Sequence, residues 1–334
     1  MNEIKTVGII GSGKMGSDIF NYLSDFNYEL IWYTRNPDHK EILWKTYQKK
    51  IKRQLKHGII SQEIFVLRSK YRITNNLKDF SQCDLIIESV IEELDIKTEI
   101  FRGLDENVKT SCILASNSSS ILPSQLAENV QRKNRVLGLH FFYPIAFKNV
   151  VELISSDFTD DFSIEKAKLF LDDINRFYLE QKEDSAFVLN RLLLQMQIEA
   201  FNLMKEAGLG YKQFDDIAKK FVPDFGLFEM MDHVGHNTMY NAIMNYSIVD
   251  SDKKIYEPLL NELKKRNLVS DKSTGNLFYN LEAEIRTISE KTELEIIDKL
   301  KEIANKYLIE YSEKYQINIY NLKKGLEEFC GIML

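Results

Sequence analysis

The feature that most constrains the fold is a strand, a glycine-rich turn and a helix in the sequence KTVGIIGSGKMGSDIFNYLSDF. An apolar segment over residues 6–10 leads into the pattern G-x-G-x-x-G, and a helical pattern follows. The first glycine permits a tight turn, the second lets the backbone approach a pyrophosphate, and the third lets the helix pack close to the strand. Amide groups at the helix N-terminus favour negative charge. The pattern predicts a dinucleotide-binding loop formed by Gly11, Ser12, Gly13, Lys14, Met15 and Gly16.

The second predicted strand spans residues 29–33. The residue that follows it indicates whether the site accepts the ribose of NAD or the 2′-phosphorylated ribose of NADP. Dinucleotide folds that bind NAD usually carry Asp or Glu there, which hydrogen-bonds the 2′-hydroxyl. This chain has Thr34 followed by Arg35, and the two side chains can bind a phosphate by hydroxyl donation and ion pairing. The pattern therefore favours NADP(H) over NAD(H). The alternative is that Arg35 is a solvated loop residue and NAD binds without the usual carboxylate.

Sheet-forming and helical segments then alternate along the chain. The predicted strands are residues 84–90, 112–117 and 135–141, and the predicted helices between them are residues 94–108 and 122–130. This alternation predicts a mostly parallel sheet covered by helices, with sites at the carboxyl ends of the strands. After about residue 184 the patterns are helical only. We therefore expect an α/β domain over residues 1–184 and an all-α domain over residues 185–334.

Residues 38–72 form a basic segment inside the first domain. The sequence predicts two helices with a break near Gly58, and lysine and arginine outnumber acidic residues along them. In an acidic protein such a surface can attract a phosphorylated or acidic partner. The alternative interpretation is a solvated helix face.

Charge and composition exclude several classes of protein. The chain of 334 residues has a formal net charge of −6, which argues against nucleic acid as a partner. No segment has the pattern of a secretory signal or a membrane span, so we expect a cytoplasmic protein without a membrane partner. The three cysteines are scattered, and His233 and His236 have no further ligand at metal spacing. We expect neither a disulfide nor a metal site.

Six motifs, in order, resemble one known family, the L-3-hydroxyacyl-CoA dehydrogenases, which include the 3-hydroxybutyryl-CoA dehydrogenases. The motifs are GSGKMG, IIESVIEELDIKTEIFRGLD, ASNSSS, GLHFFYPIAFKNVVELI, DSAFVLNRLL and FGLFEMMDHVG, within roughly residues 5–280. The resemblance implies a Rossmann-type N-terminal domain with a helical insertion, followed by an all-α C-terminal domain for substrate binding and dimerisation.

The resemblance also implies roles for individual residues. His140 matches the catalytic histidine, Glu152 the carboxylate that orients it, and Ser119 and Asn190 the residues that contact the substrate oxygen. The implied cofactor contacts beyond the glycine loop, Thr34 and Arg35 are Ser89, Glu92, Lys97, Asn117 and Tyr143. Tyr143 departs from the family, which often has Asn there.

The chain also continues about fifty residues beyond the family's usual end. Residues 285–334 align loosely with the start of the helical domain and are interpreted as a partial repeat of its helices. Asp298 stands where Asn190 stands in the first copy, so the repeat has lost that residue. We expect the repeat to cover the surface that other members bury as homodimers, so a homodimer is possible but altered by this extension.

The expected function is NAD(P)-dependent interconversion of L-3-hydroxyacyl and 3-oxoacyl thioesters, an oxidoreductase activity of fatty acid metabolism. The substrate is an acyl-CoA or, alternatively, an acyl carrier protein thioester in specialised biosynthesis. A second alternative is an L-gulonate-type hydroxyacid dehydrogenase. An alternative of another class is a cofactor-binding homologue without turnover, as the lens crystallins of this family are.

Overall fold

A computed structural model describes residues 4–223, 226–249, 253–265, 278–280 and 287–334. The chain divides into two compact units, Met1–Phe187 and Val188–Leu334. Within the described residues, every strand belongs to the first unit and the second unit is helical. Among the helices of these segments, none has both the length and the apolar character of a membrane span.

The first unit is built on an eight-stranded sheet. Its strands are β1 (Thr6–Ile10), β2 (Glu29–Tyr33), β3 (Arg72–Thr74), β4 (Leu85–Glu88), β5 (Ile113–Ser116), β6 (Val136–Phe141), β7 (Val150–Ser155) and β8 (Phe177–Lys182). They pair in the order β3-β2-β1-β4-β5-β6-β7-β8. Every neighbouring pair is parallel except β6 and β7, which are antiparallel. The predicted mostly parallel sheet is confirmed.

Three of these strands, β3, β7 and β8, were not predicted from the sequence. A structural feature of each explains why. β3 has only three residues and begins at Arg72, the last residue of the basic segment. β7 is reached from β6 by a connection too short for a helical crossover, which is why the pair is antiparallel. β8 has exposed residues that alternate with buried ones, as expected of an edge strand.

Helices cover the sheet of the first unit. They are α1 (Lys14–Leu23), α2 (Pro37–Lys56), α3 (Gln62–Arg68), α4 (Leu94–Asn107), α5 (Pro123–Ala127) and α6 (Asp161–Asp173). Along β4, Leu85 and Ile87 belong to one buried apolar cluster and Ile86 to another. Because side chains alternate between the faces of a strand, both faces of the sheet are buried.

Within the basic segment, α2 and α3 begin at capping residues and are separated by a turn. Asn36 caps α2 by accepting hydrogen bonds from the amides of Asp38 and His39. Ser61 caps α3 by accepting from the amide of Ile64. Gly58, at φ +67°, lies in the turn between them, where the sequence predicts the break.

The second unit contains α7 (Val188–Ala207), α8 (Tyr211–Ala218), α9 (Leu227–Val234), α10 (His236–Val249), α11 (Glu257–Lys265), α12 (Glu290–Tyr315) and α13 (Ile319–Cys330). α7 is its buried central helix. α12 and α13 both pack against α7, and each buries one apolar face. The predicted all-α C-terminal region is confirmed in the described part of the chain.

The glycine loop between β1 and α1 owes its shape to backbone contacts. Gly11 has φ +116°, and a Cβ there would lie 2.3 Å from the carbonyl oxygen of Ser89. A Cβ on Gly16 would lie 2.3 Å from the carbonyl oxygen of Gly11, so the helix can approach the loop only with glycine. A Cβ on Gly13 would meet no atom within 4 Å. The loop is therefore closed against the sheet and open at Gly13.

These contacts predict that two substitutions in the loop affect stability differently. Gly16→Ala should lower the free energy of unfolding by about 1–3 kcal/mol, because the new methyl group meets rigid backbone. This cost exceeds the gain in helix propensity of about 1 kcal/mol. Gly13→Ala, the control, should leave stability unchanged and weaken dinucleotide binding. Urea denaturation and titration with NADH measure the two effects, and equal stability of the two variants would contradict the packing argument.

Candidate active site

His140 and Glu152 meet across the one antiparallel strand pair of the sheet. The register places His140 of β6 directly opposite Glu152 of β7. Nδ1 of His140 lies 2.7 Å from Oε2 of Glu152. The histidine is 6% exposed and the glutamate fully buried. A carboxylate buried without a hydrogen-bond partner would cost several kcal/mol, so the contact with the histidine stabilises Glu152 in its buried position.

A third residue, Gln181 of β8, completes the arrangement around Glu152. Its Nε2 donates to Oε1 of the glutamate at 2.8 Å. Each carboxylate oxygen thus has a partner, and Oε2 is directed to the histidine. An ionised carboxylate only accepts hydrogen bonds, so Nδ1 of His140 carries the hydrogen. In the neutral ring, Nε2 then holds the lone pair and can act as a base.

Two aromatic side chains pack on the imidazole of His140. The ring centroid of Phe142 lies 4.4 Å away, and that of Phe187 lies 5.6 Å away and nearly perpendicular. Phe187 has φ +62°, which is rare for a bulky residue and marks a conformation imposed by its surroundings. The two rings shield the sides of the imidazole from water.

A cavity of about 1130 Å³ opens beside the glycine loop. Its wall includes Gly11, Ser12, Gly13, Lys14 and Met15 of the loop, Thr34, Arg35, Asn36 and His39 after β2, and Ser89, Val90 and Ile91 after β4. These segments follow the carboxyl ends of parallel strands, as expected for a dinucleotide site. The open space at Gly13 lets a pyrophosphate approach the backbone, so the residues fit such a cofactor.

The corner of the cavity at the end of β2 has a polar character. Thr34 is 2% exposed, and its Oγ1 lies 3.0 Å from Oγ of Ser12. Nδ1 of His39, in the first turn of α2, lies 3.1 Å from the same serine oxygen. Arg35 and Asn36 are exposed at the rim. The residues predicted to contact the ribose therefore line the cavity.

A second cluster of polar residues contains three of the predicted cofactor contacts. The buried ammonium of Lys97 lies 2.7 Å from Oε1 of Glu88 and 3.3 Å from Oε2 of Glu92. Partial burial raises the pKa of Glu92, but hydrogen bonds from Ser118 and the charge of Lys97 together hold that pKa below its ordinary value. Asn117 joins this region to the histidine strand, because its Oδ1 accepts from the amide of Phe141 at 2.8 Å.

The remaining predicted residues lie as follows. Ser119 is exposed, and its amide donates to Oε1 of Glu92 at 3.0 Å. Tyr143 is 47% exposed, and the ammonium of Lys14 lies 3.8 Å from the centroid of its ring. Asn190 is half-buried on α7 of the second unit.

Sequence reasoning missed Glu88, Gln181 and His39. A charged residue in an otherwise apolar strand was the available signal for Glu88. Gln181 gave none, because β8 was not predicted. His39 lay inside the segment interpreted as a basic surface, and its closeness to Ser12 depends on where α2 begins.

The two histidines of the H-x-x-H pattern have partners within the protein. Nε2 of His236 lies 2.7 Å from Oδ1 of Asp232, and Nδ1 of His233 lies 2.9 Å from the carbonyl oxygen of Glu229. Asp232 also accepts from the amide of Phe278 at 2.9 Å. Across the part of the chain that the structure describes, no group of three His, Cys, Asp or Glu is arranged to hold a metal ion.

Comparison with known families decides the relationship. A family model described as 3-hydroxyacyl-CoA dehydrogenase, NAD binding domain, matches residues 6–184, and one described as 3-hydroxyacyl-CoA dehydrogenase, C-terminal domain, matches residues 187–280. The chain belongs to the 3-hydroxyacyl-CoA dehydrogenase family. The resemblance inferred from the motifs is confirmed. Members of this family are oxidoreductases that act on CH–OH groups. Residues 6–184 of this chain match the domain of the family that is described as NAD binding.

Individual relatives agree with this assignment. A 3-hydroxybutyryl-CoA dehydrogenase of Bradyrhizobium diazoefficiens is 30% identical over 253 residues, which cover 74% of this chain and 86% of that protein. FadB2 from M. tuberculosis, known from a crystal structure, is 25% identical in sequence to this chain and superposes with a TM-score of 0.71. The matched region covers 84% of this chain and 100% of FadB2 in that structure. The dehydrogenase part of multifunctional enzyme 1 from C. elegans shares the fold at 20% identity and a TM-score of 0.62. It covers 98% of this chain and 78% of that one, so the similarity in fold reaches into residues 285–334.

The hydrogen bond between His140 and Glu152 predicts the effect of neutralising the carboxylate. Glu152→Gln should lower kcat by at least about 10²-fold, because the amide no longer favours the tautomer with a basic Nε2. NADH affinity should stay the same, since Glu152 does not line the cavity. Steady-state kinetics and a fluorescence titration measure the two quantities. The matched control is Glu180→Gln on β8, which is exposed, and a Glu152→Gln enzyme as active as that control would remove the carboxylate from the mechanism.

Proposed function

We propose that the chain is a nicotinamide-dependent dehydrogenase that interconverts L-3-hydroxyacyl and 3-oxoacyl thioesters. The observation that carries this proposal is the buried contact of 2.7 Å between His140 and Glu152. Oxidation of a secondary alcohol requires a base for the hydroxyl proton, and histidine accepts a proton near neutral pH. The relatives do not favour the gulonate-type, carrier-protein or crystallin-like alternatives.

His140 is the proposed general base. Its Nε2 takes the proton of the substrate hydroxyl in the oxidative direction and returns it in the reductive direction. Glu152 holds Nδ1 and stabilises the positive charge that the ring gains. Ser119 and Asn190 donate hydrogen bonds to the substrate oxygen, and such bonds strengthen as negative charge develops on it.

The glycine loop binds the cofactor pyrophosphate at its open side, next to Gly13. A bound nicotinamide would supply the hydride acceptor for oxidation of the alcohol carbon and the hydride donor for reduction of the carbonyl carbon. Lys97 and Glu92 form a charged cluster that fixes the loop over residues 118–120 through hydrogen bonds to Glu92. Ser89, Asn117 and Tyr143 are the further contacts on the nicotinamide side of the site.

NADP(H) is the proposed cofactor in preference to NAD(H). Thr34 stands where a carboxylate would repel a 2′-phosphate, and Arg35 beside it is exposed at the rim of the cavity. A guanidinium binds phosphate through two parallel hydrogen bonds. The two residues together support binding of the phosphorylated ribose.

Coenzyme A is the proposed acyl carrier. The B. diazoefficiens relative is named as a 3-hydroxybutyryl-CoA dehydrogenase. The basic helix α2 carries exposed lysines and arginines that suit the phosphates of coenzyme A. An acyl carrier protein with acidic helices would suit the same surface and is the second candidate. A cytoplasmic role in fatty acid metabolism is part of this proposal.

Residues 1–184 are the proposed cofactor domain, with residues 38–72 as its insertion, and residues 185–334 the substrate domain. Within the latter, we propose that residues 285–334 repeat the earlier helices and occupy a face of α7 that a second chain would otherwise cover. Tyr307 of α12 donates to Glu199 of α7 at 2.9 Å, and Arg191 donates to Tyr315 at 3.0 Å. These bonds support an intramolecular cover.

The function is tested by oxidation of NADPH or NADH with acetoacetyl-CoA, followed by the loss of absorbance of the reduced cofactor. Turnover is expected, and replacement of the thioester by free acetoacetate is the control. If neither the CoA ester nor a carrier-protein ester is reduced while cofactor binds, the dehydrogenase proposal is wrong and the non-catalytic alternative is favoured.

The role of Arg35 predicts a difference between the two cofactors. Arg35→Ala should weaken NADPH binding by about tenfold or more, because a hydrogen bond to a charged group is lost, and leave NADH binding nearly unchanged. Arg102→Ala is the matched control, since Arg102 also lines the cavity but belongs to α4. Equal effects of Arg35→Ala on the two cofactors would show that Arg35 does not contact a 2′-phosphate.

The proposed cover of α7 predicts the oligomeric state. The full chain should be a monomer at micromolar concentration, because α12 and α13 occupy the face of α7 against which they pack. Multi-angle light scattering after gel filtration measures the mass. A dimer that persists on dilution would contradict the cover.

A further inference from the structure

Three polar side chains meet at the corner of the cavity beside the end of β2. Oγ of Ser12 lies 3.0 Å from Oγ1 of Thr34 and 3.1 Å from Nδ1 of His39. Oγ1 of Thr34 and Nδ1 of His39 are 3.4 Å apart. We call Ser12, Thr34 and His39 the ribose-corner cluster. Its third member takes no part in the function proposed above.

The three members come from separate segments that the fold brings together. Ser12 lies in the glycine loop, Thr34 directly follows β2, and His39 lies in the first turn of α2. The capping residue Asn36 fixes that turn, because its Oδ1 accepts from the amide of Asp38 at 2.9 Å and from that of His39 at 3.4 Å. The position of the imidazole is therefore set by backbone structure as well as by the two hydroxyls.

Hydrogen-bond accounting shows what the imidazole can offer a ligand. Ser12 donates to Thr34, and the hydroxyl of Thr34 in turn faces Nδ1 of His39. With Nδ1 accepting from that hydroxyl, the neutral ring carries its hydrogen on Nε2, and a protonated ring carries hydrogen on both nitrogens. Phosphate binding at Nε2 requires one of these two states, because the alternative neutral ring, with its hydrogen on Nδ1, donates to Oγ of Ser12 at 3.1 Å and leaves Nε2 as an acceptor.

The charges around this corner suit an anion. Arg35 lines the same corner and adds a guanidinium. The position that holds a carboxylate in NAD-type sites holds Thr34, whose hydroxyl lies within the cluster. The carboxylates that line the cavity, Glu93, Glu99 and Glu106, belong to α4 or directly precede it, and none of them belongs to the ribose-corner cluster.

We propose that His39 is a specificity-determining residue that binds the 2′-phosphate of NADP(H) together with Arg35, while Ser12 and Thr34 hold its imidazole in place. The proposal rests on the proposed function, because it assumes a dinucleotide in this cavity. His39 donates from Nε2 to one phosphate oxygen, and Arg35 donates to the others. Ser12 and Thr34 contribute to the preference for the 2′-phosphate only by fixing the position of the His39 imidazole.

Two nucleotide fragments isolate the phosphate without any need for turnover. Adenosine 2′,5′-bisphosphate and adenosine 5′-monophosphate differ only in the 2′-phosphate, and calorimetry on the full chain gives the dissociation constant of each. The unmodified chain should bind the bisphosphate at least about 100-fold more tightly, because Arg35 and His39 should each contribute about tenfold or more. His39→Ala should reduce this ratio by roughly 10- to 100-fold, since hydrogen bonds to charged groups are lost, with monophosphate affinity unchanged.

Two further variants complete the test. Thr34→Asp should bring the ratio to one or below, because a carboxylate repels the phosphate and attracts the imidazole. His57→Ala, at the exposed C-terminal end of α2, is the matched control and should leave the ratio as it is. If His39→Ala does not fold, His39→Gln keeps a donor without the ring and should retain part of the preference.

The outcomes separate this inference from the proposed function. An unchanged ratio in a folded His39→Ala chain overturns the role of His39, and equal affinities for the two fragments in the unmodified chain overturn the phosphate site. Turnover of acetoacetyl-CoA with NADH alongside either result leaves the dehydrogenase proposal intact. If the chain still prefers the bisphosphate but turns over no thioester, the phosphate site stands and the dehydrogenase proposal is wrong.

Discussion

The contact between His140 and Glu152 depends on one strand register. Because side chains alternate between the two faces of a strand, a shift of one residue between β6 and β7 would move these two groups to opposite faces. The antiparallel pairing therefore does more than extend the sheet. It brings a buried carboxylate behind a histidine, and Gln181 on the next strand satisfies the oxygen that the histidine does not use.

The parallel part of the sheet provides the other half of the site. β1, β2, β4, β5 and β6 run in the same direction, so their carboxyl ends lie at one edge. The glycine loop, the ribose corner and His140 all lie at that edge, although they are far apart in the sequence. In the proposed function, a dinucleotide bound along this edge from Thr34 past Gly13 would extend toward the strand that carries the histidine.

Sequence reasoning found the parts of this arrangement that local patterns encode. The glycine loop, β1 and β2 were predicted at their observed bounds, because a glycine pattern between an apolar strand and a helix has few other uses. His140 was identified through its motif. Gln181 and the pairing of β6 with β7 were not predicted, since they depend on which distant strands become neighbours. His39 was missed for a different reason, because a residue five positions after Thr34 enters the corner only when the cap at Asn36 turns the chain.

In the proposed mechanism Glu152 fixes the tautomer of His140, and nitrogen NMR of labelled histidine tests this role most directly. The chain has five histidines, so the spectrum of a His140→Gln variant assigns the resonances. Neutral His140 should show a protonated, strongly hydrogen-bonded Nδ1 and an unprotonated Nε2, and Glu152→Gln should lose this pattern. A hydrogen on Nε2 with a free Nδ1 would contradict it.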